Sequence, residues 1–117
     1  MLDSQMDGAV EWFVNSIKST ETYGRYRSQL EKIKEDPELY EKINEFRRRN
    51  YEMQNTTGVD ELFEKMEAFE REYEKFRENP MVNDFLRAEL AFCRLMQEID
   101  IAIADELDFE EFISQDP

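Results

Sequence analysis

Histidine is absent from this 117-residue sequence, and cysteine occurs once, at Cys93. Without histidine the chain has no Ser-His-Asp triad, no His-ligated zinc site and no Glu-x-x-His di-iron site. A single cysteine excludes an internal disulfide and a cysteine cluster within one chain, and it suits a reducing compartment. We therefore predict no catalytic residue, no metal ligand and no cofactor, and the sequence contains no recognisable catalytic motif.

Basic residues are missing from both ends of the chain. Residues 1–17 hold three acids and residues 95–117 hold eight, so these ends carry most of the net charge of −14. Such a field repels nucleic-acid phosphates and attracts basic surfaces. We expect no direct binding of DNA or RNA, and we expect protein partners, among them a protein with a basic surface.

Long hydrophobic runs are missing as well. The longest candidate, residues 88–103, is interrupted by Arg94, Gln97, Glu98 and Asp100, and it falls short of the ~20 apolar residues that span a bilayer. The first residues lack the basic and apolar regions of a signal peptide. These features predict a soluble protein of the cytoplasm that makes no membrane contact.

The apolar residues that are present recur at steps of three and four, which is the spacing of one face of a helix. Glycine and proline are scarce, and no stretch alternates with the period of a strand. We predict an all-α fold, an antiparallel helical bundle or hairpin of about five helices with a long C-terminal helix. The predicted helices lie near 5–18, 21–35, 37–54, 58–78 and 80–107. Residues 1–117 should form a single helical domain, with flexible or loosely packed termini at 1–4 and 108–117.

Several predicted helix starts carry capping side chains. Asp36 precedes Pro37 and Asn79 precedes Pro80, so a side-chain oxygen can accept a free amide hydrogen of the first turn. Thr57, in a Thr-Thr-Gly turn, is the expected cap of the fourth helix. That short turn predicts an antiparallel hairpin of the third and fourth helices.

The fifth predicted helix has two apolar rows, which one hairpin cannot cover. We therefore predict that oligomerisation completes the bundle. Trp12 lies off the first helix's apolar row (Met6, Val10, Phe13, Ile17), so it should be exposed or sit in a subunit contact. Aromatic residues are enriched at such contacts. The candidate interface residues are Trp12, Phe13, Leu86, Phe92, Met96 and Ile103.

We expect structural rather than catalytic or metal-binding roles for the polar and reactive candidate residues. Arg47-Arg48-Arg49 should lie on a solvated helix face. Cys93, among apolar neighbours, should be a small buried hydrophobe. Two polar residues that interrupt apolar rows, Asn50 and Glu89, should fix helix register or pair across a contact. A solvated helix face also accounts for the spacing of the remaining acidic candidates, which are Glu67, Glu70 and Glu74.

The motifs occur in a recognisable order. Tyr23-x-x-Tyr26 is followed by Asp36-Pro37-Glu38-Leu39, Ile43-x-x-Phe46-Arg47, Asn79-Pro80-Met81-Val82, Phe85-Leu86-x-Ala88-Glu89, Glu98-Ile99 and Ile103. This series, over roughly residues 8–107, resembles the YlbF/YmcA family of small all-helical bacterial proteins. The resemblance implies homo- or hetero-oligomers and a regulatory role in competence, sporulation or biofilm control. Some family members modulate a messenger-RNA-processing endoribonuclease and carry iron–sulfur clusters on cysteines, of which this chain has one.

The leading hypothesis is a non-enzymatic helical adaptor or regulator that acts by protein–protein contact. Its regulatory target, in RNA processing or developmental control, is implied by the resemblance alone. The alternative is a structural or chaperone-like helical oligomer with no fixed partner. A carboxylate-metal enzyme is a third and weaker alternative. The acidic-aromatic tail at 109–113 is either a docking motif for a basic partner or a packed or frayed terminus.

Overall fold

The computed structural model describes residues 2–56 and 58–108, and within them it forms six helices and no strand. The predicted all-α fold, with its long C-terminal helix, is therefore confirmed. The expected Thr57 cap and the tail at 109–113 lie outside the described residues. In chain order the helices are α1 (Ser4–Lys18), α2 (Glu21–Lys34), α3 (Pro37–Thr56), α4 (Val59–Glu72), α5 (Glu74–Glu78) and α6 (Pro80–Glu106).

Side-chain caps begin four of these helices. The amide of Leu39 donates to Asp36 Oδ1 at 3.2 Å, and the amide of Met81 donates to Asn79 Oδ1 at 3.0 Å, which confirms both predicted caps. Two further caps were not predicted. Asp3 Oδ1 accepts from the amide of Met6 at 2.8 Å, and Thr20 Oγ1 accepts from the amide of Tyr23 at 3.1 Å. Each cap satisfies an amide that the helix itself leaves without an acceptor.

The α-carbon contacts divide the chain into two compact units. One contains Ser28–Leu86, and the other combines the described parts of Met1–Arg27 and Arg87–Pro117. The largest fully buried side chains belong to the unit Ser28–Leu86, and they are Ile33, Ile43, Val82 and Phe85. The one-domain organisation of residues 1–117 stays a prediction.

An aromatic cluster packs α3 against α4 in the predicted hairpin. Phe46 of α3 stacks on Phe69 with ring centroids 5.2 Å apart and meets the edge of Tyr73 at 5.1 Å. Phe76 of α5 adds a third ring to Phe46, at 5.9 Å. Because one α3 residue contacts rings from both α4 and α5, this cluster joins all three helices.

The predicted fourth helix, 58–78, is wrong as one continuous element because it breaks at Tyr73. Tyr73 has φ −101° and ψ 9°, outside helical geometry, so α4 ends at Glu72 and α5 begins at Glu74. Its ring packs on Phe46, Phe69 and Phe76, and its hydroxyl accepts from Arg49 Nη1 at 2.8 Å. Contacts with α3 accompany the break, and periodicity along one helix cannot show them.

Arg49 forms a two-pronged ion pair across the hairpin. Its Nη1 and Nη2 donate to Glu72 Oε1 and Oε2 at 2.7 and 2.8 Å, the parallel geometry that a guanidinium makes best with a carboxylate. These bonds lower the pKa of Glu72 and, with the bond to Tyr73, raise the pKa of Arg49.

The predicted solvated face for Arg47-Arg48-Arg49 is therefore wrong at two positions. Arg47 and Arg49 are half-buried, and Arg48 is exposed. The Arg47 guanidinium lies 5.1 Å from the Phe85 ring centroid, and its Nη1 donates to Asn44 Oδ1 at 3.2 Å. Long side chains can bury their stems against apolar surface, so a basic run does not by itself mark a solvated face.

We predict that Phe69→Ala lowers the free energy of unfolding by about 3 kcal/mol, because it removes a buried ring from the cluster. The matched control is Phe63→Ala on the same helix, where the side chain is 76% exposed. That change should stay within about 0.5 kcal/mol. Urea denaturation measures both, and equal losses would contradict the assigned packing of α4.

We also predict that the Arg49–Glu72 pair makes stability depend on pH at the acid end. Because the folded-state pKa of Glu72 is depressed below its ordinary value of 4.5, the stabilisation is present above that value. It is lost as the pH falls through the lowered pKa. NMR titration of Glu72 should show this shift, and in Arg49→Gln its pKa should return toward 4.5. An unshifted Glu72 in the unchanged protein would contradict the pair.

Candidate functional site

Helix α1 exposes its apolar side chains instead of burying them. None of its 15 residues is buried, and Met6, Val10 and Phe13 are all exposed. Ile17, at the end of the same row, is half-buried. The apolar row predicted for the first helix is therefore present, and three of its four residues are exposed. Exposed apolar rows of this kind mark contact surfaces in soluble proteins.

Trp12 lies off that row and is 72% exposed, in agreement with the predicted choice between exposure and a subunit contact. It is the single tryptophan of the chain. Tryptophan buries a large apolar area when a partner covers it, and it is enriched among the residues that dominate binding energy. Helix α1 therefore presents an apolar row and, off that row, an indole.

The other candidate interface residues occupy different environments. Phe92 is half-buried, stacks on Tyr26 with centroids 5.1 Å apart and meets Tyr23 edge-on at 5.4 Å. Leu86 and Met96 are half-buried, and Ile103 is 45% exposed. Phe92 thus already packs within the chain, whereas Ile103 remains accessible. The role of all six residues in an interface stays a prediction.

The acids near the chain ends face solvent wherever the structure describes them. On α1 Asp7 and Glu11 are exposed, and none of the α1 acids forms an ion pair within the described part of the chain. The acids of the C-terminal part of α6 are exposed too, and they are Glu98, Asp100, Asp105 and Glu106. The negative field inferred from the sequence therefore lies at the surface, where it acts on approaching molecules.

The candidate metal-binding acids Glu67, Glu70 and Glu74 are exposed, as predicted. They line an open surface depression together with Arg71 and Arg77, so bases alternate with the carboxylates there. Among residues 2–56 and 58–108 no three His, Cys, Asp or Glu side chains are grouped so as to hold a metal ion.

Asn50 is half-buried, and its Oδ1 accepts from Gln54 Nε2 at 3.3 Å within α3. Its role in helix register stays a prediction, whereas the prediction for Cys93 is wrong. Cys93 is exposed, not buried. Cys93 lies on the second apolar row of α6 rather than on the row of Phe85, Ala88 and Phe92, and the second row is incompletely covered, since Ile103 is exposed as well.

A second exposed apolar row was missed by sequence reasoning. Val59 and Phe63 of α4 are 87% and 76% exposed, and Met66 is also exposed. Their spacing of four and three places them on one helix face. That spacing was available in the sequence, but the apolar row predicted for this helix ran through Leu62, Met66, Phe69, Tyr73 and Phe76, so Met66 was wrongly placed in the packed row. Which of two adjacent rows would face α3 could not be read from one helix.

We predict that Cys93 reacts with a thiol reagent in the native protein, because its side chain is exposed. One equivalent of an aromatic disulfide reagent should be consumed without denaturant, at a rate similar to that of the unfolded chain. Cys93→Ala supplies the blank. Reaction only after denaturant addition would mean that Cys93 is covered in solution.

Comparison with known proteins identifies one family and two relatives. The family model described as "Control of competence regulator ComK, YlbF/YmcA" matches residues 9–108. A UPF0342 protein of Caldicellulosiruptor bescii is 22% identical over 98 residues, covering 82% of each chain. A UPF0342 protein of Caldicellulosiruptor saccharolyticus is 20% identical over 99 residues, covering 83% of this chain and 82% of the relative. No solved structure matches the chain.

None of the helices in the described part of the chain combines the length and hydropathy needed to cross a membrane. The family match covers most of the chain and includes the whole resemblance series from Tyr23 to Ile103. This chain belongs to the YlbF/YmcA family, whose role is related to control of the competence regulator ComK.

Proposed function

We propose that this protein is a non-enzymatic regulatory adaptor that acts by protein–protein contact through α1. The observation that carries the proposal is the exposed apolar row of α1, in a helix with no buried residue. A helix of about 15 residues is marginal in water on its own propensity, and packing normally supplies the rest of its stability. A partner that covers Met6, Val10 and Phe13 would supply that packing.

The first partner proposed is a second copy of the chain. A homo-oligomer would cover α1 and the exposed residues of α6, including Ile103, without requiring any other protein. Half-buried Met96, in the same unit, would add to the apolar part of such contacts. Family membership supports a role in regulation, and regulation by a small helical protein without a catalytic motif operates through contacts.

The second partner proposed is a protein with a basic surface. Asp7 and Glu11 are exposed beside the apolar row, so a cationic partner gains attraction during approach as well as contact on docking. A steered association of this kind weakens as salt shortens the range of the field, from a Debye length of about 10 Å at 0.1 M to about 3 Å at 1 M. Because both partners would cover the apolar row of α1, they would bind it as alternatives.

We predict that the protein exceeds its monomer mass of 14.2 kDa in light scattering at tens of micromolar. The double variant Val10→Ser/Phe13→Ser should shift it toward the monomer, because it removes apolar contact area from α1. The matched control is Gln5→Ser/Asn15→Ser, two exposed polar positions of the same helix. A monomer in all three samples would contradict self-association.

The basic partner is tested by affinity capture from a native extract with the same variants. The amount of partner captured should fall when the salt concentration is raised from 0.1 M to 1 M. It should also fall with Val10→Ser/Phe13→Ser, but not with Gln5→Ser/Asn15→Ser. Equal recovery of many proteins by every variant at both salt concentrations would contradict the adaptor and favour the chaperone-like oligomer.

A further inference from the structure

The exposed row of α4 is a surface that the α1 proposal does not use. It consists of Val59, Phe63 and Met66, all within the unit Ser28–Leu86. Phe63 is 76% exposed, whereas Phe69, six residues later in the same helix, is 9% exposed within the aromatic cluster. Helix α4 therefore uses one apolar row for its own hairpin and leaves an adjacent row uncovered. We call the uncovered row the α4 strip.

An acidic row runs beside the α4 strip. Asp60, Glu64 and Glu67 each follow a strip residue by one position, so they lie along one edge of it at the same helical spacing. All three are exposed, and none forms an ion pair within the described residues. The single base between Val59 and Glu70 is Lys65, whose Nζ lies 3.7 Å from Glu61 Oε2. The edge of the strip is thus negative from Asp60 to Glu67, and Arg71, which lines the same surface depression as Glu67, follows at its C-terminal end.

Helix stability alone does not account for this arrangement. Acids in the first turn interact favourably with the helix dipole, and this interaction explains Asp60 and Glu61. Glu64 and Glu67 lie beyond that turn, where the effect has faded. Glu61 pairs with Lys65 within the helix, whereas the three acids along the strip form no such pair.

We propose that the α4 strip docks a basic amphipathic helix of a partner protein. Apolar residues of that helix would cover Val59, Phe63 and Met66, while its lysines or arginines would lie against Asp60, Glu64 and Glu67. An apolar row beside a charged row is what one helix offers to another in groove-type recognition. The inference deepens the proposed function, since it rests on the protein acting by contact, and it adds a second surface to α1.

Other occupants fit the charges less well. A second copy pairing α4 with α4 about a two-fold axis would bring a second acidic row into the same contact, which like-charge repulsion opposes. Nucleic acid and anionic membrane surfaces carry the same sign as the strip edge. A basic helix complements both the apolar row and its edge.

The test is fluorescence anisotropy with a labelled synthetic Leu/Lys peptide whose leucines recur at helical spacing. A scrambled peptide of the same composition is the peptide control. The full-length protein should bind the amphipathic peptide more tightly than the scrambled one. Phe63→Ser should raise the dissociation constant about tenfold, as expected for loss of one anchor residue. Val59→Ser should act in the same direction, and circular dichroism should show unchanged helicity because both side chains are exposed.

The contribution of the edge is tested with charge-matched variants. Asp60→Asn/Glu64→Gln/Glu67→Gln should weaken binding severalfold, whereas Glu31→Gln/Glu41→Gln/Glu45→Gln should change it little. The second set removes the same charge from exposed positions of α2 and α3. Equal weakening by both sets, or no effect of Phe63→Ser and Val59→Ser, would show non-specific attraction and overturn the proposal.

Light scattering of the same variants separates this proposal from that for α1. If Phe63→Ser converts an oligomer to a monomer, the strip is a self-contact and the basic-helix proposal is wrong. If the peptide does not bind while Val10→Ser/Phe13→Ser still abolishes partner capture, the α4 proposal fails and the α1 adaptor stands. If peptide binding depends on Phe63 but α1 variants leave assembly and capture unchanged, the α1 proposal fails instead.

Discussion

The packing of Phe46 against the rings of Phe69, Tyr73 and Phe76 is the contact on which the hairpin depends. One α3 side chain touches α4, the break residue and α5, so it fixes the rotation of α4 about its axis as well as its distance from α3. Arg49 reinforces the same arrangement with polar bonds to Glu72 and Tyr73. These contacts place Phe69 inside and leave Val59 and Phe63 outside, so the cluster that forms the hairpin also creates the α4 strip.

The exposed surfaces remain because this packing covers only part of the chain's apolar residues. The fully buried large side chains lie in the unit Ser28–Leu86, while α1 buries none of its residues. An apolar helix face that the chain does not cover remains available to other molecules. Because acids accompany the exposed rows of both α1 and α4, the same physical combination, apolar contact with an anionic edge, occurs at two places. The regulatory contacts proposed above use surfaces of this kind.

Most of the helix boundaries could be predicted because they depend on local chemistry. Pro37 and Pro80 restrict the residues before them, and Asp36 and Asn79 cap the helices that follow. The all-α class follows from apolar spacing and from the scarcity of glycine and proline. The break at Tyr73 could not be predicted in this way, because the contacts that accompany it come from α3 and α5. Similarly, Arg49 looked solvated in the sequence because its partner Glu72 lies on another helix.

The sequence by itself determined the helical class, the caps, the acidic ends and the family resemblance, since each depends on residue type or on spacing within a few turns. Only the tertiary structure decided which apolar rows are covered. Val59, Phe63 and Met66 have the same helical spacing as a core row, and Cys93 has the same kind of neighbours as a buried thiol. Burial is a property of what packs against a face, and a face's own residues do not specify that. The surfaces proposed for contact are therefore apolar rows of helical spacing that packing left uncovered.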